Sequence, residues 1–216
     1  MSSDQRINAI SVGVTGGIGS GKTEVCKILG SMGAKVLFAD EIAKHLMNTH
    51  IGIKKKIQKI FGDKIYTNDG MLDRREMARM VFHDDNLKET LNSIVHPYVI
   101  QVIKDEIKVS KQKKIHRLIV IEAALIFETC TEGMFDYTIV VDSDAEERIK
   151  RVMQRDDVNR SEVLHRIKAQ MPVNEKIKRA DFVFHNSSNV KALELTCRFF
   201  FNLMMRLVSN SIHEAH

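Results

Sequence analysis

The sequence predicts an α/β fold in which helices cover a parallel sheet of five strands. Short apolar runs recur along the chain, and helical patterns separate them. Near-continuous apolar runs of this kind are typical of strands buried on both faces of a parallel sheet. In addition, the first run leads directly into a glycine-rich loop and then into a helix. The predicted strands span residues 10–14, 35–39, 118–123, 137–141 and 182–184.

The glycine-rich loop predicts binding of a nucleoside triphosphate, against the alternative of a turn that binds nothing. Residues 16–23 read Gly-Gly-Ile-Gly-Ser-Gly-Lys-Thr and match the pattern of a phosphate-binding loop. Residues without a Cβ let successive backbone N–H groups face one anion, and the following helix points its N-terminus there. Lys22 is expected to reach the β and γ phosphates, and the Thr23 hydroxyl to ligate Mg²⁺. The expected nucleotide contacts are Gly17, Gly19, Ser20, Gly21, Lys22, Thr23 and Glu24.

Composition and charge restrict the partners. The chain has 216 residues, and its net charge of +5 favours anionic partners without choosing among them. The basic runs at residues 54–56 and 111–117 lack interleaved aromatic side chains. We therefore interpret them as solvated surface and expect no nucleic-acid binding.

The cysteines and the hydropathy pattern favour a cytoplasmic protein. The chain has three cysteines, an odd number, and their spacing is not that of a metal site. They imply no disulfide framework, which fits a reducing compartment. Residues 1–6 are polar, and no apolar run approaches the length of a membrane span. We therefore expect neither a signal peptide nor a membrane partner.

A long helical stretch separates the second and third predicted strands. Apolar residues recur at helical intervals within residues 41–115, and this stretch is too long for a simple crossover helix. We therefore expect a separate helical insertion. The expected divisions are a core of residues 1–40, 116–143 and 180–208, the insertion at 41–115, a lid at 144–179 and a frayed tail at 209–216.

Missing motifs narrow the class of nucleotide-binding protein. The guanine-specific N-K-x-D motif and a D-x-x-G switch are absent, and the chain is short for an AAA or transporter ATPase. A small phosphotransferase fits better, and such an enzyme needs a group that orients the acceptor hydroxyl. Asp40 follows the second predicted strand and can accept a hydrogen bond from that hydroxyl and take its proton. The alternative role of Asp40 is to cap a helix that starts near Glu41.

Arginines after the fourth predicted strand provide cations for phosphoryl transfer. Arg148, Arg151 and Arg155 are spaced i, i+3 and i+7 on one helix stripe, and Arg160 follows an acidic link. One guanidinium group can donate two parallel hydrogen bonds to phosphate oxygens. We therefore interpret this region as a lid that closes on the phosphates and excludes water. Surface ion pairs with neighbouring acids are the alternative, favoured more for Arg148 and Arg151 than for Arg155 and Arg160.

Two further polar residues have alternative roles. Glu122, near the end of the third predicted strand, either holds the water shell of Mg²⁺ or caps a loop. His96 precedes Pro97, which is predicted to interrupt the helical insertion because proline has no backbone N–H. His96 either faces a ligand or is a structural histidine, which is the commoner case.

Several separated motifs, taken in order, resemble the dephospho-coenzyme A kinase family over residues 10–195. The ordered set is more specific than any single motif. It comprises the loop at 15–23, the segments 69–74 and 81–82, the histidine–proline pair within 94–97, the acidic and apolar segment 122–128, the lid residues 154–160 with Gln170, and residues 180–181 with Asn186.

The resemblance implies that the γ-phosphate of ATP passes to the ribose 3′-hydroxyl of dephospho-coenzyme A, with Mg²⁺ as cofactor. It also implies a three-layer P-loop NTPase core, a helical insertion that binds the coenzyme A substrate, and a helical lid. Asp40 matches the family's catalytic aspartate. The expected catalytic residues are Asp40, Lys22, Arg155 and Arg160; the expected substrate contacts are Asp40, Arg74, His96 and Arg151; Asn186 is expected at ATP.

The chain departs from the family pattern at two positions. Phe38 and Ala124 stand where the family usually has aspartate and proline, and neither change removes a group that the mechanism requires. A nucleoside or nucleoside-monophosphate kinase is an alternative function, and an ATP-binding regulator without activity is another. The presence of Asp40 together with an arginine lid disfavours the regulator. A monomer is expected.

Overall fold

The structure, a computed structural model that describes residues 9–82, 84–113, 115–186 and 189–213, contains a five-stranded β-sheet. The strands are β1 (Ile10–Thr15), β2 (Lys35–Phe38), β3 (Leu118–Glu122), β4 (Tyr137–Asp142) and β5 (Phe182–His185). Their order in the sheet is β2-β3-β1-β4-β5. β1 pairs in parallel with β3 and with β4, and β4 pairs in parallel with β5. The predicted α/β class with its five strands is confirmed.

Helices connect the strands. In the described part of the chain they are α1 (Lys22–Ser31), α2 (Ala39–Thr49), α3 (Ile51–Phe61), α4 (Arg74–Phe82), α5 (Asp85–Lys113), α6 (Ala145–Asp156), α7 (Arg160–Lys168), α8 (Val173–Arg179) and α9 (Val190–His213). The carboxylate of Asp144 caps α6 by accepting hydrogen bonds from two N–H groups of its first turn, at 2.9 and 3.3 Å. None of these described helices is long and apolar enough to cross a membrane.

The three central strands β1, β3 and β4 are largely buried because they are apolar on both faces. Every residue of β1 is buried, and α1 and α9 pack against each other beside the sheet. The Phe200 ring of α9 meets the rings of Phe182 and Phe184 edge-on, at centroid distances of 5.1 and 5.5 Å. α9 continues to His213, past the predicted end at residue 208, so the predicted frayed tail is helical up to that point. Residues 214–216 of that tail and residues 1–8 of the predicted core lie outside the described residues.

Phe38–Glu106 forms a compact unit of its own, and the rest of the described chain forms the other. The unit contains α2, α3, α4 and the first part of α5. Ile53 and Ile57 of α3 are fully buried in it. The Tyr66 hydroxyl donates a hydrogen bond to the carbonyl oxygen of Met47 at 2.8 Å, and burial raises the pKa of Tyr66 to about 12. The division of the chain into core, insertion and lid stays a prediction.

Pro97 does not interrupt its helix as the sequence predicted. α5 runs from Asp85 through Pro97 to Lys113. A proline inside a helix removes one backbone hydrogen bond, which costs about 3 kcal/mol or more. Buried apolar residues on both sides of Pro97, Val95 before it and Val99 after it, provide packing that offsets this loss. Tertiary burial therefore overrides the local signal.

Candidate active site

The carboxyl ends of neighbouring strands meet at one edge of the sheet, where the glycine-rich loop (residues 16–23) begins. In the strand register Val14 of β1 lies beside Glu122 of β3, and Asp142 of β4 lies beside His185 of β5. Asn186 follows β5 directly, and its N–H donates to the carbonyl oxygen of Asp142 at 2.7 Å. This edge is where open α/β sheets bind their ligands.

The glycine-rich loop is packed so tightly that several of its positions require glycine, among them Gly16 and Gly21. Gly16 has a φ of +148°, and a Cβ there would lie 2.2 Å from the carbonyl oxygen of Val141. Gly21 has a φ of +93°, and a Cβ there would lie 2.2 Å from Nδ2 of Asn186. A residue with a Cβ would be strained at these positive φ values, and its Cβ would collide with the neighbouring atoms. The loop is therefore held against the ends of β4 and β5.

Lys22 places its ammonium group on the glycine-rich loop. Its Nζ donates hydrogen bonds to the carbonyl oxygens of Gly16 at 3.0 Å and of Gly17 at 3.2 Å. The side chain is buried, whereas Thr23 and Glu24, the next two residues of α1, are exposed. The loop thus holds a cation beside its own backbone, as a site for phosphate requires.

Thr23 and Glu122 bring two oxygen donors together beside the loop. The Thr23 hydroxyl donates a hydrogen bond to Oε1 of Glu122 at 3.1 Å. A hydroxyl and a carboxylate are the hard ligands that Mg²⁺ prefers, so the pair fits this ion. Among the described residues, no group of three or more His, Cys, Asp or Glu side chains could hold a metal by itself. The pair therefore suits an ion that takes its other ligands from phosphate and water.

Two amide side chains fix the backbone of the loop. Nδ2 of Asn186 donates a buried hydrogen bond to the carbonyl oxygen of Ser20 at 2.9 Å. Oε1 of Gln170 accepts a hydrogen bond from the N–H of Ile18 at 3.0 Å. The sequence drew attention to both amides through the family resemblance, but the spacing of 152 residues between Gln170 and Ile18 gave no sign of their contact.

α6 and α7 pack on the loop through apolar side chains. Ile149, Val152 and Val163 form a buried cluster, and Ile18 of the loop packs against it. This packing turns one face of α6 toward the loop. Because a helix presents residues three apart on the same side, the face carries Arg148 and Arg151.

The arginines divide into two groups, in the opposite way to the one that the sequence favoured. Arg148 is buried, and Nη1 of Arg151 lies 3.5 Å from the carbonyl oxygen of Gly19 and 3.3 Å from the Ser143 hydroxyl. Arg155 instead makes paired hydrogen bonds to Asp156 at 2.8 and 3.1 Å. Arg160 likewise bonds both carboxylate oxygens of Glu146, at 2.7 and 2.6 Å. The surface ion pairs thus involve Arg155 and Arg160, because their side chains lie on the exposed side of the helices.

Electrostatic effects connect Arg155 to the metal-binding candidates. Its hydrogen bonds with Asp156 raise the pKa of Arg155, and the charges of Asp156 and Glu122 raise it further. The pKa of Asp156 is correspondingly lowered, first by Arg155 and then by Arg166. The Arg155 guanidinium therefore lies within electrostatic reach of Glu122 although its direct partner is Asp156.

Asp40, Arg74 and His96 belong to the Phe38–Glu106 unit. Asp40 is the second residue of α2, whose N-cap is Phe38, so the alternative that Asp40 caps this helix is wrong. Arg74 begins α4 and is exposed. The half-buried His96 has a lowered pKa because burial disfavours its charged form, and the charge of Asp40 opposes this shift. Asp40 and His96 are therefore electrostatically coupled.

Replacing Asp40 by asparagine is expected to lower the pKa of His96 further, because burial remains and the opposing carboxylate is lost. The folded pKa of His96 lies below the unfolded value of 6.5, so the folded chain binds fewer protons between the two values. Stability therefore falls as the pH drops through this window, and the substitution extends the window to lower pH. An NMR titration of the His96 ring measures the shift. An equal shift in the control Glu41→Gln, or none in Asp40→Asn, would contradict the coupling.

A buried ion pair that sequence reasoning missed joins α8 to the segment after β3. Nζ of the fully buried Lys176 lies 2.8 Å from Oε1 of Glu128 and donates a hydrogen bond to the carbonyl oxygen of Ala124 at 3.0 Å. Oε1 of Glu128 also accepts the N–H of Met171 at 3.0 Å. Because lysine is rarely buried, the sequence predicts an exposed side chain for Lys176 as it does for Lys178 on the same short helix.

The parallel sheet, the glycine-rich loop with its lysine and the arginine-bearing helices together define a kinase of the P-loop class. The family model for dephospho-CoA kinase matches residues 10–192 of the chain. The chain belongs to the dephospho-CoA kinase family, whose members are ATP-dependent kinases.

Similarity to individual proteins supports this family assignment. A dephospho-CoA kinase of Leptospira interrogans is 34% identical over 203 residues, which cover 94% of this chain and 97% of the relative. A dephospho-CoA kinase of Fusobacterium nucleatum is 38% identical over 182 residues, which cover 84% of this chain and 92% of the relative. The crystal structure of a Thermus thermophilus protein superimposes with a TM-score of 0.74 at 35% identity, covering 90% of this chain and 97% of that one.

Proposed function

We propose that this chain transfers the γ-phosphate of ATP to the ribose 3′-hydroxyl of dephospho-CoA. The observation that carries the proposal is a complete phosphate-binding loop, with Lys22 on its carbonyl oxygens and Thr23 on Glu122, in a chain of the dephospho-CoA kinase family. The loop N–H groups and Lys22 bind the phosphates, while Asn186 holds the loop in shape through the Ser20 carbonyl.

Thr23 and Glu122 are the residues that would hold Mg²⁺, Thr23 directly and Glu122 through water. The bound ion would neutralise charge on the phosphate oxygens. Asp40 accepts a hydrogen bond from the acceptor hydroxyl and takes its proton as the oxygen attacks phosphorus. Arg155 and Arg160 stabilise charge on the migrating phosphoryl group, and Arg74, His96 and Arg151 contact the substrates.

The two lid arginines must leave Asp156 and Glu146 to reach a phosphate. Arg155 and Arg160 have side chains that are 63% and 51% exposed, so water screens these ion pairs and they hold the arginines weakly. A phosphate offers more charge and more acceptor oxygens than a carboxylate. Exchange of partners is therefore the expected event when ATP binds.

Acceptor-dependent ADP release tests the proposal directly. We expect release with dephospho-CoA, and little with AMP, dTMP or a nucleoside. Turnover with a monophosphate but not with dephospho-CoA would assign a nucleoside-monophosphate kinase instead. If no acceptor raises ADP release, the chain is an ATP-binding regulator. A monomeric state and a cytoplasmic location stay predictions.

A further inference from the structure

Arg148 holds a charge inside the fold for which the fold supplies incomplete hydrogen bonding. The residue is 7% exposed, and its Nε is buried without an acceptor among the described residues. Glu146 and Asp156 of α6 form ion pairs with other arginines, namely Arg155, Arg160 and Arg166. Burying a cation without a matching anion costs free energy, so an unpaired buried cation is rare unless a bound ligand supplies the anion.

The guanidinium of Arg148 lies directly over the glycine-rich loop. A Cβ at Gly17 would lie 2.1 Å from Nη1 of Arg148. A Cβ at Gly19 would lie 2.5 Å from the backbone carbonyl oxygen of Arg148. Lys22 reaches Gly17 from its own side, with Nζ 3.2 Å from the carbonyl oxygen. Two cationic groups therefore approach the same glycine, and a site lined by two cations favours an anion.

Packing holds Arg148 in this place. Its neighbours Ile149 and Val152 form a buried cluster to which Ile18 of the loop also belongs. The position of the guanidinium thus follows from the docking of α6 on the loop and needs no rearrangement of exposed side chains. A donor fixed in advance loses little entropy when it binds a phosphate.

From the buried charge, the unpartnered Nε and the approach of Lys22, we infer that Arg148 is a phosphate-binding residue, which completes the site for the phosphate chain of the nucleotide. This inference rests on the proposed function in that ATP is the phosphate donor. It assigns to Arg148 a role different from that of Arg155 and Arg160. Arg148 binds phosphate at the loop itself, whereas the other two must first leave their carboxylates.

Arg148→Met tests the inference by removing the charge and keeping most of the apolar stem. Binding is measured by calorimetry, without acceptor, for ATP, inorganic tripolyphosphate and adenosine. We expect ATP and tripolyphosphate to bind about 10- to 100-fold more weakly, the loss typical of a hydrogen bond to a charged group. Adenosine affinity should stay unchanged, and Arg148→Lys should recover part of the loss because it restores the charge without the planar fork.

Thermal unfolding without nucleotide separates this role from a structural one. Removing an uncompensated buried charge should leave the unfolding temperature unchanged or raise it, while the additional stabilisation by ATP shrinks. Lys150→Met, an exposed change on α6 with the same loss of charge, is the matched control and should behave like the unchanged chain.

Three outcomes for the Arg148→Met chain would overturn the inference. They are a destabilised or unfolded Arg148→Met chain, unchanged affinity for ATP and tripolyphosphate, or an equal loss for adenosine. Failure of the unchanged chain to bind either phosphate compound would also overturn it. Failure of dephospho-CoA as acceptor alone would contradict the proposed function and leave the role of Arg148 standing.

Discussion

Replacing Asp40 by asparagine is expected to lower kcat by about 10²- to 10⁴-fold, the usual contribution of a positioned general base. Asparagine has nearly the same shape and keeps one acceptor oxygen, but it cannot take the proton of the acceptor hydroxyl. The affinity for ATP should change little, since Asp40 is not among the proposed ATP contacts, which are the loop at residues 16–23, Glu24, Arg148 and Asn186. The kcat and the KM for dephospho-CoA at saturating ATP, with the Kd for ATP measured separately, check this result.

Glu41→Gln is the matched control for Asp40→Asn. Glu41 is the next residue of α2 and makes an exposed ion pair with Lys44 at 2.6 Å, so the control removes the same charge from the same helix turn. It should retain nearly full kcat. Asp40→Glu keeps the carboxylate but shifts it by one methylene, and we expect it to recover part of the activity. Weak ATP binding with normal turnover at saturation in Asp40→Asn would show that Asp40 has a different role.

The sheet and the loop could be predicted from sequence because their signals are local. An apolar run such as that of β1 is typical of a strand covered on both faces, and here it leads directly into the glycine pattern. The requirement for glycine at positions 16 and 21 also follows from the loop's sharp turn, although its immediate cause is contact with Val141 and Asn186. Contacts of this kind confirm a local pattern without being needed to recognise it.

The arginine partners could not be predicted in the same way, because helix spacing gives a shared stripe but not the depth of each side chain. Arg148 is buried because Ile18 of the distant loop packs against α6. Arg160 meets Glu146 across the junction of two helices, 14 residues earlier in the chain. The continuation of α5 through Pro97 similarly depends on burial, which a local rule about proline omits.

Lys176→Met is expected to reduce the free energy of unfolding by about 3–5 kcal/mol, the usual effect of removing one partner of a buried ion pair. The substitution keeps most of the side-chain volume but leaves Glu128 without its cation. Oε2 of Glu128 is already a buried oxygen without a hydrogen-bond partner among the described residues, so the carboxylate has little else to stabilise its charge. The Ala124 carbonyl oxygen loses a donor as well, although Oγ1 of Thr15 still donates to it at 3.0 Å. Urea unfolding gives the difference in free energy.

Lys178→Met and the double variant Lys176→Met/Glu128→Leu separate the buried charge from general effects on α8. Lys178 is 73% exposed and pairs with Glu175 at 3.5 Å, so its replacement should change stability by less than about 0.5 kcal/mol. The double variant removes both charges and should regain part of the stability, because apolar groups of similar volume often replace a buried pair without loss, whereas the Met171 N–H loses its acceptor. Glu128 also accepts the N–H of Met171, which follows the Gln170 that bonds the loop. Destabilisation in Lys176→Met should therefore be accompanied by weaker ATP binding, and equal stability of the two lysine variants would show that the ion pair does not hold this segment.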